Sequence, residues 1–334
     1  MMKVLFVGGT GLISVEVSKL AVERGIDLYL LNRGQRNITI EGAKSLVADI
    51  TKPEQVASVL EGHHFDCVVN WIVFHPDEIQ RDIELFRDKC NHYIFISSAS
   101  AYHKPLPHPV VTESTPLANP YWEYSRNKIA CEEALMLAYR QEGFPMTIVR
   151  PSHTYDKQLI VSVGDSGAYG VARRMLEGKP VIVHGDGTSL WTLTHSKDFA
   201  IGFVGLLANP QTIGQSFHIT SDYSLTWNQI YEHLADALNV KANIVHMPSD
   251  FIAQHHPDLG AGLLGDKMWS VLFDNSKIKR FVPDYVAKIP YHIGLEWAVN
   301  WFQAEDSRMQ VSGEDDALID GLLEAYGHGT SHVS

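Results

Sequence analysis

The stretch Val4-Leu5-Phe6-Val7-Gly8-Gly9-Thr10-Gly11-Leu12-Ile13-Ser14 decides the fold. Its four leading apolar residues read as a strand covered on both faces. The glycines allow a tight turn, and Leu12 to Arg24 then repeats with helical period. A GxxG segment between a strand and a helix brings backbone N–H groups and a helix N-terminus close to a pyrophosphate. Gly8, Gly9, Thr10, Gly11, Leu12 and Ile13 are therefore candidate cofactor contacts. Ser14 stands where a third glycine is usual, and it is small enough for helix–strand packing to survive. The competing reading is a glycine-rich turn that holds no ligand.

Outward from this turn, apolar runs alternate with amphipathic stretches. Strands are expected at Val4 to Val7, Asp27 to Leu31, Ser45 to Val47, Cys67 to Asn70, Tyr93 to Ser97 and Met146 to Val149. Helices are expected at Leu12 to Arg24, Pro53 to Leu60, Asp77 to Phe86 and Ser125 to Gln141. Strands alternating with helices imply βαβ units and a parallel sheet. The expected fold class is α/β, a Rossmann-type doubly wound parallel sheet with a smaller C-terminal substrate-binding region. Residues 1–150 form the dinucleotide-binding domain. Residues 151–326 are mainly substrate-binding, with some segments returning to the sheet, and 327–334 are a loose polar tail.

Ligands of open α/β sheets bind beyond the carboxyl ends of the strands. The second strand ends in Asn32-Arg33, with Arg36 close by, where a carboxylate would select NAD. An arginine there suits a ribose 2′-phosphate, which favours NADP(H) within an NAD(P)(H) reading. A solvated basic turn is the alternative. Asp49 and Ile50 follow the third strand, where a carboxylate can accept the adenine amino group and an apolar neighbour can pack on the ring. Asn70 and Pro151, at later strand ends, complete the candidate cofactor set.

Tyr124 and Lys128 are four apart on one helix face. A phenol is a poor base at neutral pH, and a nearby ammonium lowers its pKa. Such a pair can move a proton at a substrate hydroxyl or carbonyl. Upstream, Ser98 and Ser100 follow a strand end, where a hydroxyl can bond the reacting oxygen. YxxxK alone is a frequent accident; its position is what gives it weight.

With these motifs in place, the sequence resembles extended or atypical members of the short-chain dehydrogenase/reductase superfamily, in the epimerase/dehydratase branch. Arg150 to Tyr155, Gly185-Asp186-Gly187, His195 to Asp198 and Ser276 to Arg280 also resemble segments of that branch. The resemblance implies Ser98, Tyr124 and Lys128 as catalytic residues, with Ser100 as the fallback hydroxyl. It also implies that Lys128 bonds the nicotinamide ribose. Ala99 and Ser100 replace the Asp-Glu pair of the 4,6-dehydratases. His153 and Trp191 stand where many sugar-nucleotide enzymes have an asparagine and an arginine for the substrate diphosphate. Arg173 and Arg174 are the alternative anion contacts, set against a solvated helix face. Trp191 to His195 is closer to an atypical group resembling chloroplast stem-loop-binding proteins. Ser100, His153 and Trp191 are the candidate substrate contacts.

The implied function is an NAD(P)-dependent oxidoreductase or epimerase acting on a sugar, polyol or related secondary alcohol or ketone. The alternatives are a non-catalytic dinucleotide sensor or regulatory protein, and an RNA-binding protein. A formal charge of −12 disfavours phosphate-backbone and anionic-membrane partners. Cys67, Cys90 and Cys131 are few and scattered, so no disulfide framework or zinc site is expected. His63-His64 and His255-His256-Pro257-Asp258 lack matched ligand spacing, so no metal is expected. No signal peptide precedes the first strand and no apolar run spans a bilayer, which points to the cytoplasm. A homodimer through Asp77 to Phe86 and Ser125 to Gln141 is expected from the apolar surplus at Ile129, Ala130, Ala134, Leu135, Leu137 and Ala138.

Overall fold

The computed structural model describes residues 1–35, 38–311 and 313–327. Arg36 and the tail from 328 onward lie outside the described residues. The strands are β1 (Lys3–Val7), β2 (Asp27–Asn32), β3 (Lys44–Val47), β4 (Cys67–Asn70), β5 (Tyr93–Ile96), β6 (Val110–Val111) and β7 (Met146–Pro151). They continue with β8 (His153–Tyr155), β9 (Pro180–His184), β10 (Leu190–His195), β11 (Gln215–Ile219), β12 (Ser224–Thr226), β13 (Asn243–Met247) and β14 (Leu272–Phe273).

Seven strands form one sheet in the order β11-β7-β5-β4-β1-β2-β3, every pair parallel. Strand order reverses on either side of β1, so the carboxyl ends of β1 and β4 flank the switch point where doubly wound sheets bind ligands. Alternate residues of β1 serve opposite layers. Val4 and Phe6 pack with Val17 of α1 (Ser14–Glu23) and Phe199 and Phe203 of a later helix. Leu5 and Val7 pack with Ile79 and Leu135 on the other face. All four side chains are fully buried. Each contributes about 1.5–3 kcal/mol, which explains why an unbroken apolar run is required here.

On that second face lie α2 (Pro53–Val59), α3 (Pro76–Phe86) and α4 (Glu123–Glu142). Leu135 and Ala138 of α4 point into this core, while Leu137 is 54% exposed. β5 stops at Ile96 because Ser98 Oγ accepts the Ser100 amide and starts a 3₁₀ turn, Ala99–Ala101. β7 runs on to Pro151, beyond the expected Val149, because Phe217 to Ile219 of β11 pair with Val149 to Pro151.

The chain beyond Pro151 is woven into the first layer as well as forming its own. α5 (Gly170–Leu176) belongs to the second core, whereas α6 (Ser196–Val204) packs on α1. β8-β10-β12 and β9-β13 form small sheets around Trp191, Trp227 and Leu295, and β14 pairs with β6. Arg174 corrects both sequence readings of its pair. Its side chain is fully buried, donating to Pro180 O and to Asp316 and Asp320 of the C-terminal helix at 2.9 and 2.6 Å. Arg173 bonds Asp316 at 2.6 Å. These arginines latch that helix to α5 and are neither an anion site nor a solvated face.

Candidate functional site

At the switch point lies a cavity of about 610 Å³, lined by Gly8, Gly9, Thr10, Gly11, Leu12 and Ile13, with Asn32, Arg33, Asp49 and Ile50 at one end. Gly8 and Gly9 have φ of +96° and +87°, a left-handed region that side chains disfavour. A Cβ on Gly9 would come within 2.8 Å of Leu30 Cδ2. The turn therefore presents bare backbone to the groove. Ser14 Oγ accepts the Gly11 amide at 2.8 Å, so the hydroxyl at the usual third-glycine position ties the turn to the helix. Gly11 O takes the Val15 amide at 3.0 Å, and no side chain caps the N-terminus of α1, which leaves its other first-turn N–H groups for an anion. A backbone cradle that a Cβ would fill, under an uncapped helix end, fits a dinucleotide pyrophosphate. Thr51 donates twice to Asp49 Oδ1, and these bonds hold the carboxyl below its usual range.

Asn70 does not line this cavity. It is fully buried, donating to Asp82 and accepting the Ile72 amide at 3.0 Å. Its role is to fix the turn after β4 from beneath. Thr51, Trp71, Ile72 and Glu78 line the groove without having been expected. Glu78 is held there because its carboxylate accepts the Phe74 and His75 amides at the start of α3.

A second cavity, of about 400 Å³, shares Ile13 with the groove. It collects Ser98, Ser100, Tyr124, Pro151, His153 and Trp191. Pro151, expected at the cofactor, is thus in the wall of this second chamber. Trp122, extended at the head of α4, packs its ring 4.9 Å from that of Tyr124. Ser98 Oγ lies 2.9 Å from Ser100 Oγ, to which Ser125 Oγ donates at 2.7 Å. Asn119 anchors the segment by donating to Ser100 O and Gly265 O.

Burial raises the Tyr124 phenol pKa, a hydrogen bond with Ser98 opposes that shift, and the Asp266 charge adds to it. The expected lowering by Lys128 is not among the causes. The Lys128 ammonium is buried between Val73 O at 2.5 Å and Ile96 O at 2.9 Å, and sits 5.7 Å from the Tyr124 ring centroid. Burial pushes its own pKa down to about 8. His153 is held neutral, its pKa pushed down to about 3 by burial and by the Lys267 charge. Trp191 Nε1 donates to His153 Nδ1 at 3.2 Å, so the neutral ring carries its proton on Nε2.

Between α4 and the ends of β5 and β7 lies a buried polar pillar that sequence reading missed. Glu132 on α4 receives Arg150 Nε at 2.9 Å, a second Arg150 nitrogen at 2.6 Å and Ser97 Oγ at 2.5 Å. The Arg150 guanidinium lies 4.9 Å over Tyr102, whose hydroxyl meets His218 Nδ1 at 2.9 Å. Asp266 and Lys267 also line the second cavity unexpectedly. They end a five-residue π turn, Leu263–Lys267, too short to carry a periodic signature. No group of three or more metal-ligating side chains occurs among the described residues.

A doubly wound sheet with a glycine-walled groove at its switch point defines a Rossmann-type dinucleotide-binding protein. Residues 4–220 match the NAD dependent epimerase/dehydratase family; the chain belongs to that family and is an enzyme of that NAD-dependent type. It is 25% identical over 290 residues to 2′-dehydrokanamycin reductase of Streptomyces kanamyceticus, covering 85% of this chain and 80% of that one. It is 26% identical over 267 residues to chloroplast stem-loop binding protein of 41 kDa b of Arabidopsis thaliana, covering 75% and 67%. UDP-glucuronic acid 4-epimerase from Bacillus cereus, solved with UDP-glucuronic acid and NAD, superposes with a TM-score of 0.70 at 17% identity, covering 91% of this chain and 99% of that one.

Proposed function

We propose that this protein is an NAD(P)-dependent oxidoreductase or epimerase that acts on a secondary alcohol or ketone of a sugar or polyol. The reading rests on one observation above the others: Ser98, Ser100 and Tyr124 line a cavity that shares Ile13 with the dinucleotide groove. A nicotinamide dinucleotide bound along Gly8 to Ile13 supplies the hydride acceptor or donor. In the oxidative direction Tyr124 takes the proton from the substrate hydroxyl; in the reductive direction it returns one to the carbonyl oxygen. Ser98 bonds that oxygen and the phenol together. Lys128, held by Val73 O and Ile96 O with its ammonium 5.7 Å from the Tyr124 ring centroid, supplies a nearby positive charge. Arg33 in the groove, with Asn32 where a carboxylate would select NAD, supports a preference for NADP(H).

Calorimetric titration with NAD and NADP in both redox states tests the groove, and NADP(H) is expected to bind more tightly. A screen of sugar alcohols, aldoses and nucleotide sugars then separates net cofactor reduction from isomerisation without net redox change. On any substrate found, Tyr124→Phe is expected to lose ~10²–10⁴ of turnover while dinucleotide affinity is kept. Full activity in that variant would overturn the proton-transfer assignment.

A further inference from the structure

Three serine hydroxyls beside Tyr124 form a chain whose direction follows from counting protons. Ser125 is the third residue of α4 and fully buried, and its Oγ donates to Ser100 Oγ at 2.7 Å. Ser100 is buried as well, and its Oγ lies 2.9 Å from Ser98 Oγ. A serine hydroxyl has one proton and two lone pairs. Ser100 receives the Ser125 proton and must place its own. Apart from Ser125, the donor, its only side-chain hydroxyl partner among the described residues is Ser98. A buried hydroxyl proton left unpaired is costly, so Ser100 donates to Ser98. The Ser100 amide donates to the same Ser98 oxygen at 3.2 Å. Both lone pairs of Ser98 are then filled, and its single proton is left for the Tyr124 side, where a hydrogen bond joins the two residues.

Asn119 holds the chain of serines in place. Its side-chain nitrogen donates to Ser100 O at 2.9 Å, and its side-chain oxygen accepts the Tyr121 and Trp122 amides at 3.2 and 3.1 Å. One side chain therefore fixes both the 3₁₀ turn that carries Ser100 and the segment entering α4, which carries Ser125. A Ser98 hydroxyl with no free lone pair cannot take the Tyr124 proton, so neutral Tyr124 keeps that proton for the substrate oxygen. When Tyr124 is ionised, the Ser98 proton points at the phenolate. Without Ser125, Ser100 can rotate to accept from Ser98, and Ser98 then turns away from the phenol for part of the time.

We infer that Ser125 is a positioning residue that, through Ser100, fixes Ser98 as a hydrogen-bond donor toward Tyr124. This rests on the reading of Ser98 and Tyr124 as the groups that face the reacting oxygen. The charged groups facing the phenol are Asp266, which raises its pKa, and Lys128, whose ammonium lies 5.7 Å from the ring centroid. Both are kept in the serine variants, so a change among those variants reports on the serines.

The full-length protein is labelled with 3-fluorotyrosine, which brings phenol titration to lower pH, and followed by fluorine NMR. The resonance absent from Tyr124→Phe is that of Tyr124. Ser125→Ala should move its titration midpoint to higher pH, equivalent to about 2–10-fold less phenolate at a given pH. Ser125→Thr, which keeps the hydroxyl, should retain the original midpoint. Ser98→Ala should also raise the midpoint, and the double variant should match Ser98→Ala alone, because Ser125 acts only through Ser98. On a substrate found in the screen, Ser125→Ala should lower kcat at neutral pH by the same factor, with KM and dinucleotide affinity held. An unchanged midpoint in Ser125→Ala, or a double variant shifted beyond Ser98→Ala, would overturn the inference. Loss of dinucleotide binding, or full turnover in Tyr124→Phe, would instead remove the underlying functional reading, while the midpoints still report on the serines.

Discussion

The dinucleotide groove and the second cavity are neighbours, yet they are built on different scales of the chain. The groove lining runs from Gly8 to Ile96 and comes from the turns after the first strands of the sheet. The cavity lining runs from Ile13 to Phe273 and draws on strand ends, the head of α4, β10 and the π turn. The groove recognises what every dinucleotide offers, a pyrophosphate, through bare backbone and a helix end. Under the proposed function the chamber recognises one substrate, through side chains brought together from far apart. The groove is therefore generic and locally encoded, and the chamber is particular and assembled by the fold.

The contrast is broken most strongly through the pillar that supports the chamber. Glu132 and Arg150 are almost fully buried, so Glu132→Ala leaves a guanidinium without its carboxylate and Ser97 without its acceptor. Loss of one partner of a buried pair costs about 3–5 kcal/mol. Urea denaturation should show that loss as a lower midpoint with an unchanged slope. A change below ~1 kcal/mol would mean that the pair is effectively solvated.

The groove is tested by a smaller change. Gly9→Ala adds a methyl group at a φ of +87° and within 2.8 Å of Leu30 Cδ2. Overpacking and the left-handed backbone together should cost about 1–3 kcal/mol of stability. Dinucleotide affinity in calorimetry should fall about 10-fold because the cradle has to open. Turnover at saturating cofactor should be much less affected; an equal loss of turnover would show that the two chambers are not separable.

The smallest effect is expected from Ser98→Ala. The Ser98 hydrogen bond opposes the rise in the Tyr124 pKa caused by burial. Removing it raises that pKa further, so the phenolate forms only at higher pH. The rising limb of the pH–rate profile for alcohol oxidation should therefore move to higher pH, with a ~2–10-fold loss of rate at neutral pH. His153 stays neutral, with its pKa near 3, and contributes no limb in the neutral range. A limb that stays in place in Ser98→Ala would assign it to a group other than Tyr124.

The sequence by itself determined six of the seven sheet strands, the glycine cradle and the helix bearing Tyr124 and Lys128; the edge strand β11 was not among the expected strands. Unbroken apolar runs such as Val4 to Val7 suit a strand covered on both faces, and helical period and turn glycines act over a few residues. Such signals depend only on neighbours along the chain. Tertiary structure decided the rest. Asn70, at a strand end, became a buried partner of Asp82. Lys128 was drawn between two carbonyls instead of onto the phenol. Arg174 turned inward to the C-terminal helix. Glu132 met Arg150 across 18 positions, and Asp266 was neutralised by Lys104, far away in the chain. Charge pairing and desolvation depend on distances of a few ångströms in space, and those distances exist only once the strands have been brought side by side.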